Sequence, residues 1–268
     1  MNTVDICSRL EETTYFINVF TGQEPLNHET SISKGSGVAI NGSGDLLTAA
    51  HVVTGRIPVR QQDINNPNVI ILAKTTRGQF LQYYSVICGL EIQNPNLKEP
   101  LTVDLALLRP LSPQQNVSHL RISTVPVKVG VQVLMAGYPD DMELPFLFDQ
   151  ALDKGKPEVQ SVLPHIQVAK QLLMIKSGMI GHINHVFLTD GKLTLEGDVF
   201  YVDNQLHLGA SGGPVVNRDA EVVGIITQRA ITSVPFMETP DLKVPSGSIV
   251  AVSPRIIQPL IAKKTTGR

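Results

Sequence analysis

The sequence predicts an all-β protein of the barrel or sandwich type, and three features of its pattern support this. Short apolar runs rich in Val and Ile alternate with Gly, Pro, Asn and Asp, which is typical of strands separated by turns. The segment Asn41–Asp45, between two such runs, has the composition of a hairpin turn. Helical periodicity is scarce, so alternating β and α units are not expected. The predicted strands are Tyr15–Phe20, Gly37–Ile40, Leu46–Thr48, Val69–Ala73, Tyr83–Cys88, Leu105–Leu108, Val131–Ala136, Pro214–Val216 and Glu221–Thr227.

Three segments carry a helical pattern. Met1–Glu12 precedes the first strand and predicts a short helix there. Val159–Met174 places apolar residues near helical spacing, although Pro164 interrupts the pattern. Ser253–Lys263 predicts a C-terminal helix, because its first residue is a favoured N-cap, a proline follows in the first turn and the next apolar residues form a stripe.

Composition and charge exclude several classes of protein. Charged residues make up 17% of the 268 residues and the formal net charge is −2, which argues against long disordered segments and a nucleic-acid surface. The two cysteines, Cys7 and Cys88, lack metal-ligand spacing and are too few for a secreted disulfide framework. The start, Met1–Asp5, does not resemble a signal peptide, and no run approaches about 18 apolar residues. We therefore predict a soluble, cytoplasmic protein with neither nucleic acid nor membrane as a partner.

Ser211 is the first candidate for chemistry, because glycines flank it in the run 209–214. Glycine permits backbone angles closed to other residues, and such a loop can direct the N–H groups of Gly209 and Ser211 at one point as an oxyanion hole. Taken alone, the run also suits an ordinary Gly/Ser hairpin before a strand. It fits the nucleophile elbow of α/β-hydrolases too, but that elbow requires a following helix and a later histidine. A strand-like run follows instead, and the last histidine is His207.

The general base must therefore precede Ser211, and His51 has the most suitable context. It ends an apolar strand and lies among small residues in Thr48–Val53. A packed core histidine is the plain alternative. His207 is too close to Ser211 along an extended loop to face it. His182 and His185 have a spacing that suits a metal only on a helix, so no metal or cofactor is predicted. The remaining histidines are His28, His119 and His165.

The carboxylate that orients the base is predicted to be Asp104. It lies beside the apolar run Leu105–Leu108, where partial burial demands a partner. A strand-end aspartate is the plain alternative, and Asp198 and Asp203 are weaker candidates because they lie in a polar context near the serine. The order His, Asp, Ser along the chain excludes a subtilisin-like arrangement.

The segments Thr48–His51, Asp104–Leu107 and Gly209–Pro214 resemble the three signature segments of chymotrypsin-like (trypsin-fold) serine proteases. The similarity is greatest to the bacterial Deg or high-temperature-requirement type. Supporting similarities lie in Gly35–Val38, Ala136–Pro139, Ser177–Ile180 and Ile249–Ser253.

The resemblance implies one protease domain over residues 1–268, made of two packed six-stranded antiparallel β-barrels. Residues 1–12 form an N-terminal extension, about 13–125 the first barrel, about 126–252 the second, and 253–263 the C-terminal helix. Residues 140–176 form an inserted, partly helical segment, which we expect to serve as a lid or partner-docking element.

The resemblance further implies acyl transfer, in which Ser211 attacks, His51 carries the proton and Asp104 holds His51. Thr227 occupies the family position beside the triad carboxylate, so its hydroxyl is expected to support Asp104. Ala210 replaces the aspartate that pairs with a new amino terminus in the digestive enzymes, so activation by N-terminal clipping is not expected. Too few residues follow Ser211 for a PDZ domain as well as the last strands and helix.

The resemblance also locates a substrate pocket. Its members are Gln205, His207, Ile226, Thr227, Gln228 and Arg229. Gln205 replaces the pocket aspartate of trypsin-like enzymes, and Ile226 replaces the histidine of glutamate-specific relatives, so small or medium apolar side chains are the expected substrates. We predict a serine endopeptidase that acts on protein or peptide substrates. A partner or substrate is expected to order its oxyanion loop, and self-association is expected from the trimers of Deg-type relatives. The alternatives are a catalytically silent scaffold module and a small-ester hydrolase.

Overall fold

The computed structural model describes the chain in segments, and the site can be built from these. They are residues 1–22, 31–56, 68–92, 98, 101–139, 152–153, 155–160, 172–189, 194–204, 206, 209–236 and 239–261. Within these segments no helix is long and apolar enough to cross a membrane.

Six strands form the first barrel. They are β1 (Thr14–Thr21), β2 (Ser31–Ala39), β3 (Leu46–Thr48), β4 (Val69–Lys74), β5 (Leu81–Ile92) and β6 (Leu101–Pro110). All neighbours are antiparallel in the order β1-β2-β3-β6-β5-β4, and β4 closes the ring by pairing with β1. Strand β1 is covered on both faces, because its residues from Thr14 to Phe20 are all buried.

Six further strands form the second barrel. They are β7 (Gln132–Gly137), β8 (Met174–Thr189), β9 (Thr194–Val202), β10 (Pro214–Val216), β11 (Val222–Phe236) and β12 (Thr239–Val252). They are antiparallel in the order β10-β11-β12-β9-β8-β7, and β7 closes the ring by pairing with β10. The prediction of two six-stranded barrels is therefore confirmed.

Every predicted strand is present, and the turn at Asn41–Asp45 joins β2 to β3 with Gly44 at φ +82°. The list of predicted strands omits β8, β9 and β12. Strand β8 is exposed or half-buried over residues 181–187, and β12 over residues 242–248. In β9, buried and exposed residues do not alternate strictly. An exposed hairpin does not need alternating apolar residues, so the period-two signal is weak there. Pro245, within β12, obscured the signal further.

Short helices cover both ends of the chain. Helix α1 spans Thr3–Thr13, and the Asn2 side chain caps it by accepting a hydrogen bond from the Asp5 N–H at 2.9 Å. Near the other end, Ser253 accepts from the Arg255 N–H and caps a 3-10 helix, Pro254–Ile257, which continues as one helical turn to residue 261. Both helices contribute buried side chains to the layer between the two barrels.

The predicted inserted segment lies mostly outside the described residues. A helical turn is present at 157–160, and most of the predicted helix Val159–Met174 belongs to the undescribed part. Residues 174–176, which we assigned to the insertion, lie at the start of β8 and pair with β7.

Each barrel has its own apolar core, and a third cluster joins them. Inside the first barrel, Ile17, Leu46 and Leu108 are fully buried, and inside the second Met135 and Phe200 are. The joining cluster draws on both barrels and both terminal helices. An isolated bridge between Ile122 and Val222 also links the connection between the barrels to β11. This shared core fixes the cleft in which the candidate residues lie.

Candidate active site

His51 and Asp104 form a two-point contact in the first barrel. The His51 Nδ1 lies 2.7 Å from Asp104 Oδ2, and the His51 backbone N–H donates to Asp104 Oδ1 at 2.9 Å. The side chains are 14% and 24% exposed, so the pair is shielded from solvent but not sealed. Two-point binding fixes both the position and the rotation of the imidazole. Among the described residues, His51 Nε2 makes no hydrogen bond and is available as a proton acceptor.

The local fold around His51 differs from the expected strand end. Strand β3 ends at Thr48, and His51 is the second residue of a short helix, α2 (Ala50–Thr54). Gly55 ends this helix with φ +69°, a left-handed conformation that favours glycine. The helix turns the histidine back over β6, and that turn brings its backbone N–H to Asp104.

Asp104 lies within β6 rather than at a strand end. The strand spans Leu101–Pro110 and places the apolar residues after Asp104 in the barrel wall. The other carboxylates that we considered are occupied elsewhere. Asp198 pairs with His185, and Asp203 accepts from the Met179 N–H at 2.6 Å. The structure therefore brings together the histidine and carboxylate that the sequence selected.

Ser211 lies on the loop before β10, and that loop packs tightly on the first barrel. The Ser36 N–H of β2 donates to the Ser211 carbonyl at 2.7 Å. A side chain on Gly212, which has φ +84°, would overlap the Ser36 carbonyl and the Thr48 hydroxyl. The loop thus rests against the strand end that leads directly into His51, with Ser211 half-buried.

Hydrogen bonds also set the direction of the peptide units in this loop. The Ala210 carbonyl accepts from the Gly213 N–H at 2.9 Å, and the Gly212 N–H donates to the Ile226 carbonyl at 2.7 Å. Because carbonyl and N–H point in opposite directions across a trans peptide, the first bond turns the Ser211 N–H away from Gly213. Gly209 has φ +88°, which suits the glycine at that position. The residue before Gly209 lies outside the described segments.

The predicted pocket residues are only partly described. Gln205 and His207 lie outside the described residues. Ile226 and Thr227 are buried on β11, Gln228 is exposed and Arg229 is half-buried. The Thr227 hydroxyl donates to the Val250 carbonyl at 3.4 Å, and among the described residues it makes no hydrogen bond with Asp104. The expected support of Asp104 by Thr227 is therefore not made by a hydrogen bond in this structure.

Cys88 is a neighbour of the site that sequence reasoning missed. It pairs with Ala106 across β5 and β6, and its Sγ lies 3.9 Å from the carbonyl of Ala50, just before His51. Burial and the nearby charge of Asp104 raise the pKa of the Cys88 thiol to about 12. The thiol therefore stays neutral and fills the space behind the histidine helix.

The two histidines with metal-like spacing do not meet. His182 contacts Asn184 and the ring of Tyr201, whereas His185 pairs with Asp198 and Glu196. Their spacing on a strand points them to opposite faces. Within the described residues, no group of three or more ligating side chains could hold a metal ion.

The chain is similar to known proteins in its sequence family and in its fold. The family model described as a trypsin-like peptidase domain matches residues 35–225, which span most of the chain and contain all three candidate residues. The chain therefore belongs to the trypsin-like peptidase domain family. No curated protein matches it significantly.

Solved structures show the same fold at low sequence identity. The active form of the Rv3671c protease from M. tuberculosis superposes with a TM-score of 0.54 at 16% identity, covering 96% of this chain and 83% of that one. The inactive form of a serine-to-alanine mutant of Rv3671c gives a TM-score of 0.53 at 15% identity, covering 98% of this chain and 91% of that one. These similarities support a chymotrypsin-like fold for this chain.

Proposed function

We propose that this chain is a serine endopeptidase that works through an acyl-enzyme. Ser211 attacks the substrate carbonyl, His51 Nε2 takes the proton and returns it to the leaving amine, and Asp104 holds the imidazole and stabilises its charged form. The observation that carries this proposal is the two-point contact of His51 with Asp104, at 2.7 and 2.9 Å, beside the docked serine loop. The Gly209 and Ser211 N–H groups would stabilise the oxyanion.

The substrate backbone would bind along β11. Over Gln228 and Arg229, β11 pairs with Val250 and Ile249 of β12 on one side. On the other side of β11, the pairing with β10 ends at Ile225, and no described strand pairs with β11 beyond that residue. An extended peptide can add to such a free edge as a further strand. Main-chain binding of this kind suits an endopeptidase better than a small-ester hydrolase.

The side chain before the scissile bond would enter a pocket walled by β11. Ile226 and Thr227 give this wall a largely apolar character, and Arg229 lies half-buried at its edge. We therefore propose small or medium apolar residues at that substrate position. Gln205 and His207 complete the proposed pocket.

We propose that the activity is controlled through the oxyanion loop. Ala210 is 2% exposed, and a side chain on Gly137 would lie 2.7 Å from the Ala210 Cβ. Alanine carries no carboxylate, so a new amino terminus made by clipping would have no partner at this position. Control by a partner or by substrate remains, and cleavage of unfolded casein should be slow until that partner is added. Robust cleavage by the isolated chain would contradict this control.

A fluorophosphonate probe tests the nucleophile directly. Wild type should be labelled, Ser211→Ala should not, and the matched control Ser43→Ala, in the turn before β3, should be labelled like wild type. Wild-type labelling that survives Ser211→Ala would refute the assignment. If no variant is labelled, with candidate partners or without, the protein is a silent scaffold on the protease fold. Mass spectrometry of a digested peptide library then separates peptidase from esterase activity and reads the preferred residue.

Three further proposals concern the context of the enzyme. We propose that the part of the predicted insertion that precedes β8, residues 140–173, forms a lid or partner-docking element, and deletion of this segment should alter peptidase behaviour if it does. Self-association is tested by light scattering of the purified chain. The cytoplasmic location rests on the composition and is tested by cell fractionation.

A further inference from the structure

Ser36 of β2 connects the serine loop to both barrels through its backbone and its hydroxyl. It is fully buried. Its N–H donates to the Ser211 carbonyl at 2.7 Å, and its own carbonyl accepts from the Thr48 hydroxyl at 2.7 Å. Its hydroxyl donates to the Gly209 carbonyl at 2.9 Å and accepts from the Tyr138 N–H at 2.8 Å. One residue thus contacts the loop on both sides of Ala210.

The direction of the hydroxyl hydrogen bond is settled by its partners. A serine hydroxyl has one hydrogen to donate, and the Tyr138 N–H can only donate. The hydroxyl must therefore accept from Tyr138 and give its hydrogen to the Gly209 carbonyl. Tyr138 itself is held in place, because its phenol donates to the Thr14 carbonyl at 3.2 Å and lies 2.9 Å from the Thr76 hydroxyl. The Tyr138 residue whose N–H donates to the Ser36 hydroxyl is thereby held in place.

These bonds constrain the peptide units that would form the oxyanion hole. The Ser36 hydroxyl fixes the peptide between Gly209 and Ala210, which lies between the two proposed oxyanion donors. With that peptide fixed, the direction of the Gly209 N–H depends on the two backbone torsions of Gly209, and its φ angle is +88°. The peptide after Ser211 is held by the Ser36 N–H in the same way. Loss of the hydroxyl would remove this partner from the part-buried Gly209 carbonyl and from the buried Tyr138 N–H, so the loop would turn to find other partners.

We propose that Ser36 is a positioning residue that holds the oxyanion loop in its working shape through its hydroxyl. It acts through Gly209 and contacts neither the substrate nor the reacting atoms. The catalytic consequence rests on the proposed function, whereas the structural consequence for the Gly209 peptide does not.

The kinetic test compares Ser36→Ala with Ser123→Ala, at a temperature where both are fully folded. Ser123 is a matched control, because it is 2% exposed and its hydroxyl accepts one backbone hydrogen bond, from Val125, far from the loop. Removal of an oxyanion donor lowers kcat by about 10²–10³-fold, so loosening one should lower kcat by about tenfold or more, with KM nearly unchanged. Ser123→Ala should keep the wild-type kcat. Equal kcat values for the two variants would overturn the proposal.

A structural readout separates this proposal from the proposed function. In protein labelled with ¹⁵N-glycine, Ser36→Ala should shift or split the Gly209 amide signal, and Ser123→Ala should leave it unchanged. Ser36→Cys fills the same space with a weaker donor, so it gives the same shift if the alanine variant fails to fold. An unchanged Gly209 signal in the folded Ser36 variants would overturn the proposal. A shifted signal in a protein that no fluorophosphonate labels would sustain the role of Ser36 and refute the protease.

Discussion

The most demanding prediction concerns Asp104→Asn, which preserves the shape of the side chain but changes its hydrogen-bonding chemistry. In the wild type, the His51 backbone N–H donates to Asp104 Oδ1 at 2.9 Å, and an asparagine oxygen can still accept this hydrogen bond. In the wild type, His51 Nδ1 lies 2.7 Å from Asp104 Oδ2. The asparagine amide nitrogen would take the place of this oxygen and would donate a hydrogen bond where the carboxylate accepts one. The imidazole would then carry its proton on Nε2, which could no longer take the proton of Ser211.

We expect kcat to fall by about 10⁴-fold, the effect of this tautomer change in a triad. That fall corresponds to about 5 kcal/mol of transition-state stabilisation. The free energy of unfolding should change by only about 1 kcal/mol, because one of the two hydrogen bonds survives. Active-site-titrated kinetics on a peptide ester and urea unfolding measure the two effects separately.

Asp198→Asn is the matched control for Asp104→Asn. Asp198 is also a shielded carboxylate, 7% exposed, that contacts a histidine Nδ1, here that of His185 at 3.0 Å. It lies on β9 away from the serine loop, so its substitution should leave kcat near the wild-type value. A tenth or more of wild-type kcat in Asp104→Asn, or an equal loss in Asp198→Asn, would refute the assigned role of Asp104.

Three further predictions test the structure around the site. Gly212→Ala should lower the free energy of unfolding by at least about 1 kcal/mol more than Gly247→Ala, because both have similar positive φ but only the former meets other atoms; equal losses in urea unfolding would contradict the tight docking. Asp45→Ala should lower the free energy of unfolding by about 1–3 kcal/mol, because the half-buried Arg109 loses its carboxylate partner, and adding Arg109→Met should recover part of this in a double-mutant cycle. The hydrogen bond that the imidazole of His185 donates to the Asp198 carboxylate raises the pKa of His185. Its stabilisation is therefore complete below the unfolded value of about 6.5 and is lost as pH rises through the folded value. The Tm difference from His185→Gln should therefore shrink as pH rises above about 6.5, and a constant difference would contradict it.

The sequence predicted the barrel strands best where burial imposes a strict pattern. β3 and β10 begin and end at the predicted residues, because every residue of these two short strands is buried. β8 and β12 were omitted because much of each strand is exposed or half-buried, and exposed strands tolerate glycine, histidine and proline. The pairing order that closes each barrel could not be derived from any single run, since it depends on contacts between distant segments.

By itself, the sequence selected the residues of the candidate site. His51, Asp104 and Ser211 stand out through their neighbours, because small residues around a histidine, an apolar run beside an aspartate and glycines around a serine are local features. Only the tertiary structure decided how these groups are held. The two-point contact of His51 depends on the turn of α2 over β6, and the serine loop depends on Ser36. Such contacts join residues far apart in the chain, and a hydroxyl that bonds to a backbone carbonyl leaves no pattern in the sequence.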